Sequence, residues 1–200
     1  MHCLQAEKPL IFNHREKNNA IARYAGIEAI FMCNPNPDAY NAGNLTNRGS
    51  EAEKQYSFCI EFSRQHALKE SEYELGKQSV RNVMTGIGMM EGEVVLARPV
   101  RMIAHDARSM RSDVTHTGHI RFHVNLFDRV NEGDKLYEVR DIQTVELLEE
   151  GFAAFDGVVT EISHYPIARP GIPVCRIAEG RLLAEAGEPL PKLPDHFFNH

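Results

Sequence analysis

The chain changes its pattern near residue 91, and this change constrains the fold more than any other feature of the sequence. Before it, helical and strand patterns alternate; after it, short apolar runs separated by turn residues follow one another without a helical pattern. We therefore predict an α/β fold in which a mixed sheet with helices precedes a small all-β domain. The predicted boundaries are 1–91 for the α/β part, 92–180 for the all-β domain and 181–200 for a surface tail.

The first part predicts helices and strands in alternation. Residues 15–25 have a helical pattern that ends at Gly26, a natural C-cap, and the apolar run 27–33 follows as a buried strand. Residues 56–62 predict a second strand, with Glu61 near its end. A helix follows from residue 70 to the glycines at 86 and 88, and we expect its apolar stripe to lie on the sheet. The turn formers after residue 33 predict a long loop at a strand end, where ligands bind in open α/β sheets.

The all-β part contains a weak internal repeat. Residues 118–139 resemble residues 157–177, with two glycines at nearly the same separation in each copy. Such a repeat predicts two similar β-units packed face to face. The strand candidates of this part are residues 94–104, 118–125, 135–141, 157–163 and 172–178.

Composition excludes several classes of partner. A formal charge of -6 over 200 residues provides no large positive field, so we expect no nucleic-acid partner. No apolar run approaches the ~20 residues that span a bilayer, and the N-terminus has no signal-peptide pattern. We therefore expect a cytoplasmic protein with no membrane partner. The four cysteines form no C-x-x-C pair, and the three inside apolar runs are expected to be buried thiols.

Three segments of the second half, taken with the pattern of the first half, carry a family resemblance. They are residues 128–134 (DRVNEGD), 154–159 (AFDGVV) and 169–174 (RPGIPV), in this order. The chain resembles the succinylglutamate desuccinylase/aspartoacylase family over most of its length. The resemblance implies a partial carboxypeptidase-like α/β domain followed by a barrel-sandwich domain of the biotinyl/lipoyl type. It is not a carrier domain, because the turn at residues 141–145 has no lysine to modify.

The resemblance also implies a site and a chemistry. Members are zinc-dependent amidohydrolases in which a bound zinc ion lowers the pKa of a water molecule to ~7 and a glutamate takes its proton. Glu61 corresponds to that catalytic base, and Arg48 corresponds to an arginine that binds the substrate carboxylate or oxyanion. His2, which lies 59 positions before Glu61, corresponds to one ligand of a single zinc ion, with Met1 in the preceding hydrophobic position.

The sequence departs from the family pattern at the metal ligands. None of the ten histidines begins a His-x-x-Glu pair, which supplies two zinc ligands in the family. Ser63 also stands where the family often has glycine. We therefore expect a chain that starts inside the catalytic domain, with impaired hydrolase activity, an incomplete zinc site and self-association through exposed apolar surface.

Each candidate site residue has a structural alternative. His2 is also explained as a polar residue at a frayed terminus. Glu61 could pair with Arg64 or Arg48, and Arg48 could be a solvated residue at a helix start. Tyr165 is a candidate substrate contact, since loops of the β domain close over the active site in relatives, but it also fits a turn between strands.

Two polar clusters have a simpler interpretation than a metal site. Residues 116–123 contain three histidines, and His119, Arg121 and His123 share one face of a predicted strand. An arginine between two histidines disfavours a bound cation, so we predict a solvent-facing polar surface with the apolar neighbours turned inward. The glutamates of residues 146–150 are likewise expected to form a solvated face.

Two functions from different classes follow. The first is a zinc-dependent deacylase that hydrolyses the amide bond of an N-acyl amino acid, its small-molecule partner. The second is a non-catalytic binding or structural module that associates with another chain. The resemblance favours the deacylase, and the missing His-x-x-Glu pair keeps the second function open.

Overall fold

The computed structural model describes residues 8–33, 56–62 and 69–194. These residues fall into two compact units. Residues 8–105 and 181–194 form the first, here called the α/β unit, and residues 106–180 form the second, here called the β unit. Within the described ranges, no helix has the length and apolar character needed to cross a membrane.

The α/β unit is built on a five-stranded sheet with the order β14-β5-β2-β1-β3. Strands β1, β2 and β5 are parallel, while β3 and β14 are antiparallel to their neighbours. The strands and helices of this unit are β1 (Leu10–Asn13), α1 (Asn19–Ala22) between two 3₁₀ turns (Glu16–Asn18 and Arg23–Ala25), β2 (Ala29–Met32), β3 (Cys59–Glu61), α2 (Glu70–Gly86), β4 (Val94–Val95), β5 (Val100–Ile103), β14 (Arg181–Ala184) and β15 (Pro189–Leu190).

The first helical segment and the strand after it form as the sequence predicts. Gly26 has a φ of 72° and ends the segment in the left-handed conformation that glycine adopts without strain. The chain then enters β2, whose Ile30 is fully buried beside Ile11 of β1. These two isoleucines and the ring of Tyr24 lie in one apolar core, which also includes residues of β4 and β5.

Helix α2 has the predicted bounds, and Val83 of its predicted apolar stripe packs against the core, but the expected orientation is wrong for Tyr73 and Val80. Tyr73 and Val80 are 50% and 60% exposed, whereas Ser79 and Gly86 are buried. The Ser79 hydroxyl donates a 2.7 Å hydrogen bond to the Ala25 carbonyl. A small residue at position 86 leaves room for the ring of Tyr24. The inward face of α2 thus needs a hydroxyl group at position 79 and a glycine at position 86. Hydropathy alone does not identify this face, because neither residue is strongly apolar.

The β unit contains two four-stranded antiparallel sheets, with the orders β10-β9-β7-β12 and β6-β13-β11-β8. Each repeated segment of the sequence supplies a strand pair to one sheet: β7 with β9, and β11 with β13. One buried core contains residues of both sheets, including Ile120, Val139, Val159 and Ile177. The strands are β6 (Ser109–Asp113), β7 (Gly118–Phe122), β8 (Arg129–Val130), β9 (Lys135–Arg140), β10 (Leu147–Phe152), β11 (Gly157–Ile162), β12 (Ile167–Ala168) and β13 (Pro173–Ala178).

The predicted division of the chain differs from this grouping. Strands β4 and β5 lie after residue 92, yet they belong to the α/β unit, because β5 extends its parallel sheet beside β2. The segment predicted as a surface tail returns to the same unit, where β14 pairs with β5 and β15 pairs with β4. The Tyr24 hydroxyl also donates to the Pro191 carbonyl. Long-range strand pairing therefore holds this segment.

Replacing Gly86 tests the contact between α2 and Tyr24. An added Cβ at position 86 would lie 2.4 Å from the Tyr24 ring, so Gly86→Ala should lower the free energy of unfolding by about 1–3 kcal/mol through overpacking. Ser71→Ala, at an exposed position of the same helix, should change it by less than about 0.5 kcal/mol. Urea denaturation of both variants measures the difference, and a stabilised Gly86→Ala protein would contradict the packing described.

Candidate active site around Glu61

Glu61 is the last residue of β3, one of the two edge strands of the sheet in the described part of the chain. It pairs with Leu10 across the antiparallel β1–β3 ladder, and its side chain is exposed. Within residues 8–33, 56–62 and 69–194, no hydrogen bond or ion pair engages its carboxylate. A carboxylate in this position is accessible to a small molecule and can accept a proton from it.

Two thiols lie on the same face of the sheet as Glu61. Cys59 precedes it by two residues in β3, and Cys33 follows β2. Burial raises the pKa of the Cys59 thiol, and the negative charge of Glu61 raises it further. Burial also raises the pKa of Cys33, although a backbone hydrogen bond from Asn13 opposes this, and Glu61 and Cys59 add to the increase. Both thiols therefore stay protonated at neutral pH, which disfavours a nucleophilic role for them.

Glu61 and Cys33 lie at opposite ends of the strands of this sheet. Because β3 is antiparallel to β1, Glu61 lies where β1 begins, whereas Cys33 lies at the end of β2. The sequence predicts a ligand site at the carboxyl end of β2. Glu61, at the end of β3, therefore lies at the opposite end of the strands from that predicted site. The strands are short: Cys59 and Glu61 are two residues apart, which is roughly 6.6 Å along a strand. The negative charge of Glu61 therefore still contributes to the raised pKa of Cys33.

A buried asparagine cluster on the other face of the sheet fixes the approach to β3. The Asn13 amide donates to Asn19 Oδ1 at 2.7 Å and accepts a hydrogen bond from Asn18 at 2.9 Å. Asn18 also donates to the backbone carbonyl of Ser57 at 2.6 Å, two residues before β3. The neighbouring His14 is buried, and burial followed by the charge of Arg15 lowers its pKa. This cluster was not among the residues predicted from the sequence, although the polar run directly after β1 indicates it.

The remaining candidates of the α/β site are not brought together in the described structure. His2 and Arg48 lie outside the described residues, as does Arg64, the alternative partner of Glu61. Among the residues that are described, no three His, Cys, Asp or Glu side chains lie close enough together to hold a metal ion. The predicted contacts of Glu61 with His2 and Arg48 stay predictions.

Tyr165 lies in the β unit, in the turn between β11 and β12. Its ring is 71% exposed, and its backbone amide donates to the Ser163 hydroxyl at 3.2 Å. The next residue, Pro166, accepts a backbone hydrogen bond from Ile120. The segment therefore shapes a turn, and it leaves the Tyr165 ring accessible for a contact with a ligand.

The histidine cluster of the β unit forms a polar outer surface, as predicted. Glu138 of β9 lies between Arg121, His123 and Arg140, and Arg140 Nε donates to it at 2.9 Å. That hydrogen bond, with the positive charges of Arg140, His123 and Arg121, lowers the pKa of Glu138 from its ordinary value of 4.5 to about 2. The apolar neighbours Phe122 and Val124 pack against the core.

The glutamates of residues 146–150 lie exposed or half-buried at the surface, and two of them also form specific polar contacts. Glu149 accepts hydrogen bonds from the Thr115 amide at 2.9 Å and from the Thr115 hydroxyl at 2.8 Å, and it contacts His116 at 3.2 Å. Glu150 forms an ion pair with Lys135. These contacts join β10 to the β6–β7 connection and to β9, which are distant in sequence, so charge alone does not predict them.

The comparisons with known proteins identify the fold. No protein-family model matches the sequence, and a search of curated proteins finds no match. Among solved structures, the chain is similar to a succinylglutamate desuccinylase/aspartoacylase family protein from Shewanella amazonensis SB2B, with a TM-score of 0.68 and 10% identity over 89% of this chain. The family protein from Shewanella frigidimarina NCIMB 400 gives a TM-score of 0.66 and 12% identity over 90% of this chain. The chain has the fold of this family.

The desuccinylase/aspartoacylase fold confirms the resemblance inferred from the sequence. A third similar structure is the ectoine utilization protein EutE (DoeB) from Ruegeria pomeroyi, with a TM-score of 0.59 and 17% identity over 86% of this chain. The chain spans about half the length of these structures: 53% of the two Shewanella proteins and 55% of the Ruegeria protein. At these identities the similarity establishes the fold, and activity is a separate question.

The Glu138 cluster predicts a pH dependence of stability in the β unit. Because the folded state lowers the pKa of Glu138 from 4.5 to about 2, its ionised form stabilises the fold above pH 4.5, and this contribution is lost as the pH falls towards 2. The difference in Tm between the wild type and Glu138→Gln should therefore narrow over that range. Glu132→Gln, in an exposed turn of the same unit, is the matched control. A constant difference between wild type and Glu138→Gln at all pH values would contradict the assignment.

Proposed function

We propose that this protein is a deacylase-type hydrolase that cleaves the amide bond of N-acyl amino acids. The observation that carries the proposal is the accessible carboxylate of Glu61 at a strand end of a desuccinylase/aspartoacylase fold. The names of the similar structures support the same reaction class, since they include desuccinylases and aspartoacylases. The residues proposed to act are Glu61 as base, Arg48 and Tyr165 as substrate contacts, and His2 as a metal ligand.

Glu61 would move one proton during the reaction. A water molecule gives a proton to the Glu61 carboxylate as its oxygen bonds to the amide carbon of the substrate. The C–N bond then breaks, and Glu61 returns the proton to the departing amine, which leaves as the free amino acid beside the released carboxylic acid. The protonated Cys59 and Cys33 nearby carry no charge, so they neither neutralise Glu61 nor compete with it as a base.

Arg48 and Tyr165 would bind the substrate. A guanidinium holds a carboxylate through two parallel hydrogen bonds, which orients an amino-acid substrate and leaves its amide bond at the base. The exposed ring of Tyr165 combines an apolar surface with a hydroxyl group and suits a contact with an acyl chain.

Zinc is the cofactor that we propose, with one ion per chain and His2 among its ligands. Bound zinc would supply a water molecule with a lowered pKa at neutral pH. The residues in the described ranges do not by themselves fit a zinc cage, since no three ligating side chains converge there. We therefore assign no catalytic step to the metal, and we propose that the hydrolase activity of this chain is impaired.

The finer fold assignment and the location are part of the proposal. We assign the two sheets of the β unit to the barrel-sandwich type seen in biotinyl and lipoyl domains, because each repeated segment supplies one strand pair to a common core. We also propose that the protein acts in the cytoplasm.

A second candidate function is a non-catalytic module that associates with another chain. The outward-facing apolar side chains of α2, Tyr73 and Val80, favour it, because exposed apolar side chains on one helix face are typical of sites of protein association. The two functions differ in one respect that can be measured: only the deacylase requires the carboxylate of Glu61.

Replacing Glu61 tests the proposed reaction. Glu61→Gln keeps the size of the side chain but removes its ability to accept a proton, so hydrolysis of N-acetyl and N-succinyl amino acids should fall at least about 100-fold. Glu91→Gln, at an exposed position of the same unit, should leave the rate unchanged. The assay uses high protein concentration and added zinc, and it follows release of the free amino acid. Equal rates for Glu61→Gln and the wild type, or no hydrolysis by the wild type, would contradict the proposal.

Replacing His2 tests the proposed metal ligand. Removing one imidazole from a zinc site should weaken zinc binding by about tenfold or more, so His2→Ala should retain less zinc than the wild type after dialysis. His164→Ala, in the turn of the β unit that holds Tyr165, is the matched control and should retain as much zinc as the wild type. Zinc retention that is the same in all three proteins would rule out His2 as a ligand.

A further inference from the structure

Helix α2 presents an apolar stripe on the side that faces away from its own core. The residues at positions 73, 76, 77, 80 and 81 follow the spacing of one helical face. On this face Tyr73 is 50% exposed and Val80 is 60% exposed. The opposite face packs Leu75 and Val83 against the core and also buries the polar side chains of Ser79 and Asn82. Apolar side chains thus lie on both faces of the helix, whereas an ordinary surface helix is polar on its outer face. The outward stripe therefore resembles a surface that is covered in the working protein.

The stripe forms the wall of an open groove. Phe62, directly after Glu61, lies against Gly76 in the middle of the helix, where an added Cβ would come within 3.1 Å of its ring. The groove has a volume of about 490 Å³, and it is lined by Phe62, Glu72, Tyr73, Gly76, Lys77, Val80 and Arg81. Glycine at position 76 thus leaves room for the Phe62 ring, which lies beside the helix between Tyr73 and Val80.

The charges along the exposed side of α2 are self-complementary. Glu70 and Glu74 lie in the first half of the helix, whereas Lys77 and Arg81 lie in the second half, and all four are exposed. Glu74 and Lys77 also form an ion pair within the helix at 2.6 Å. A second copy of α2, placed antiparallel about a two-fold axis near residues 76 and 77, would bring its basic half beside the acidic half of the first. The same placement puts Tyr73 of one copy next to Val80 of the other. It also aligns the helix dipoles in opposite directions, which is favourable.

We propose that this face of α2 is a two-fold interface between two copies of the chain. In a two-fold dimer the same surface patch of both subunits forms the interface, so each contact between two different residues occurs twice. The apolar pair of Tyr73 and Val80 forms its centre, and the acidic and basic halves form its rim. This inference does not depend on the proposed hydrolase activity, because none of the four charged residues is assigned to the reaction.

The first test measures the dimer dissociation constant by analytical ultracentrifugation. Val80→Glu places a charge at the centre of the interface and should raise the dissociation constant at least about tenfold, as is typical for the loss of a central interface contact. Ile142→Glu is the matched control, since Ile142 is a 58% exposed apolar residue of the β unit, and it should leave the dissociation constant unchanged.

The second test uses two variants with opposite charge. Lys77→Glu combined with Arg81→Glu makes the face acidic along its length, and Glu70→Lys combined with Glu74→Lys makes it basic. Each variant alone should be monomeric because like charges meet across the two-fold axis. An equimolar mixture should form a heterodimer, which also shows that both variants are folded.

Several results would overturn the proposal. A wild-type protein that stays monomeric at the highest concentration measured would exclude the interface, and so would a protein that associates only with a different polypeptide. A dimer that persists in Val80→Glu would place the contact elsewhere. Folded charge variants, as judged by circular dichroism, that fail to associate when mixed would exclude the antiparallel arrangement.

Discussion

The buried amide of Asn13 is the contact on which the arrangement of the α/β unit most depends. It joins the end of β1 to the helical turn after it, and through Asn18 it reaches the Ser57 carbonyl just before β3. A buried amide left without hydrogen-bond partners lowers the free energy of unfolding by roughly 1–3 kcal/mol. The network therefore favours the arrangement in which these three segments stay together. The register of β3 on β1 follows from this, and that register places Glu61 opposite Leu10 at the edge of the sheet.

Much of the local structure could be predicted from the sequence because it depends on neighbouring residues. Gly26 ends its helical segment in the left-handed conformation, which depends only on the residue at that position. The polar face around His119 and Arg121 could be predicted because successive side chains of a strand point to opposite faces. The family resemblance came from the order of short segments, and the similarity to the solved structures confirms it at the level of the fold.

Features that depend on distant partners could not be predicted in the same way. The face of α2 that packs inward is set by the ring of Tyr24 and the carbonyl of Ala25, which lie more than fifty residues earlier in the chain. The return of Arg181–Ala184 to the first sheet depends on its pairing with β5. For the site, the sequence identified the carboxylate at the end of β3, but its position on the sheet follows from an antiparallel register that no local pattern specifies.

The account rests on Glu61 being the base at the amide bond of an N-acyl amino acid. The most direct measurement is a crystal structure of the protein with zinc and an N-acetyl amino acid bound. The account predicts that the ligand amide lies within hydrogen-bond reach of the Glu61 carboxylate, about 2.6–3.2 Å directly or through one water molecule, with His2 on the same side of the sheet. A ligand bound away from Glu61, or a His2 side chain on the far side of the sheet, would contradict it.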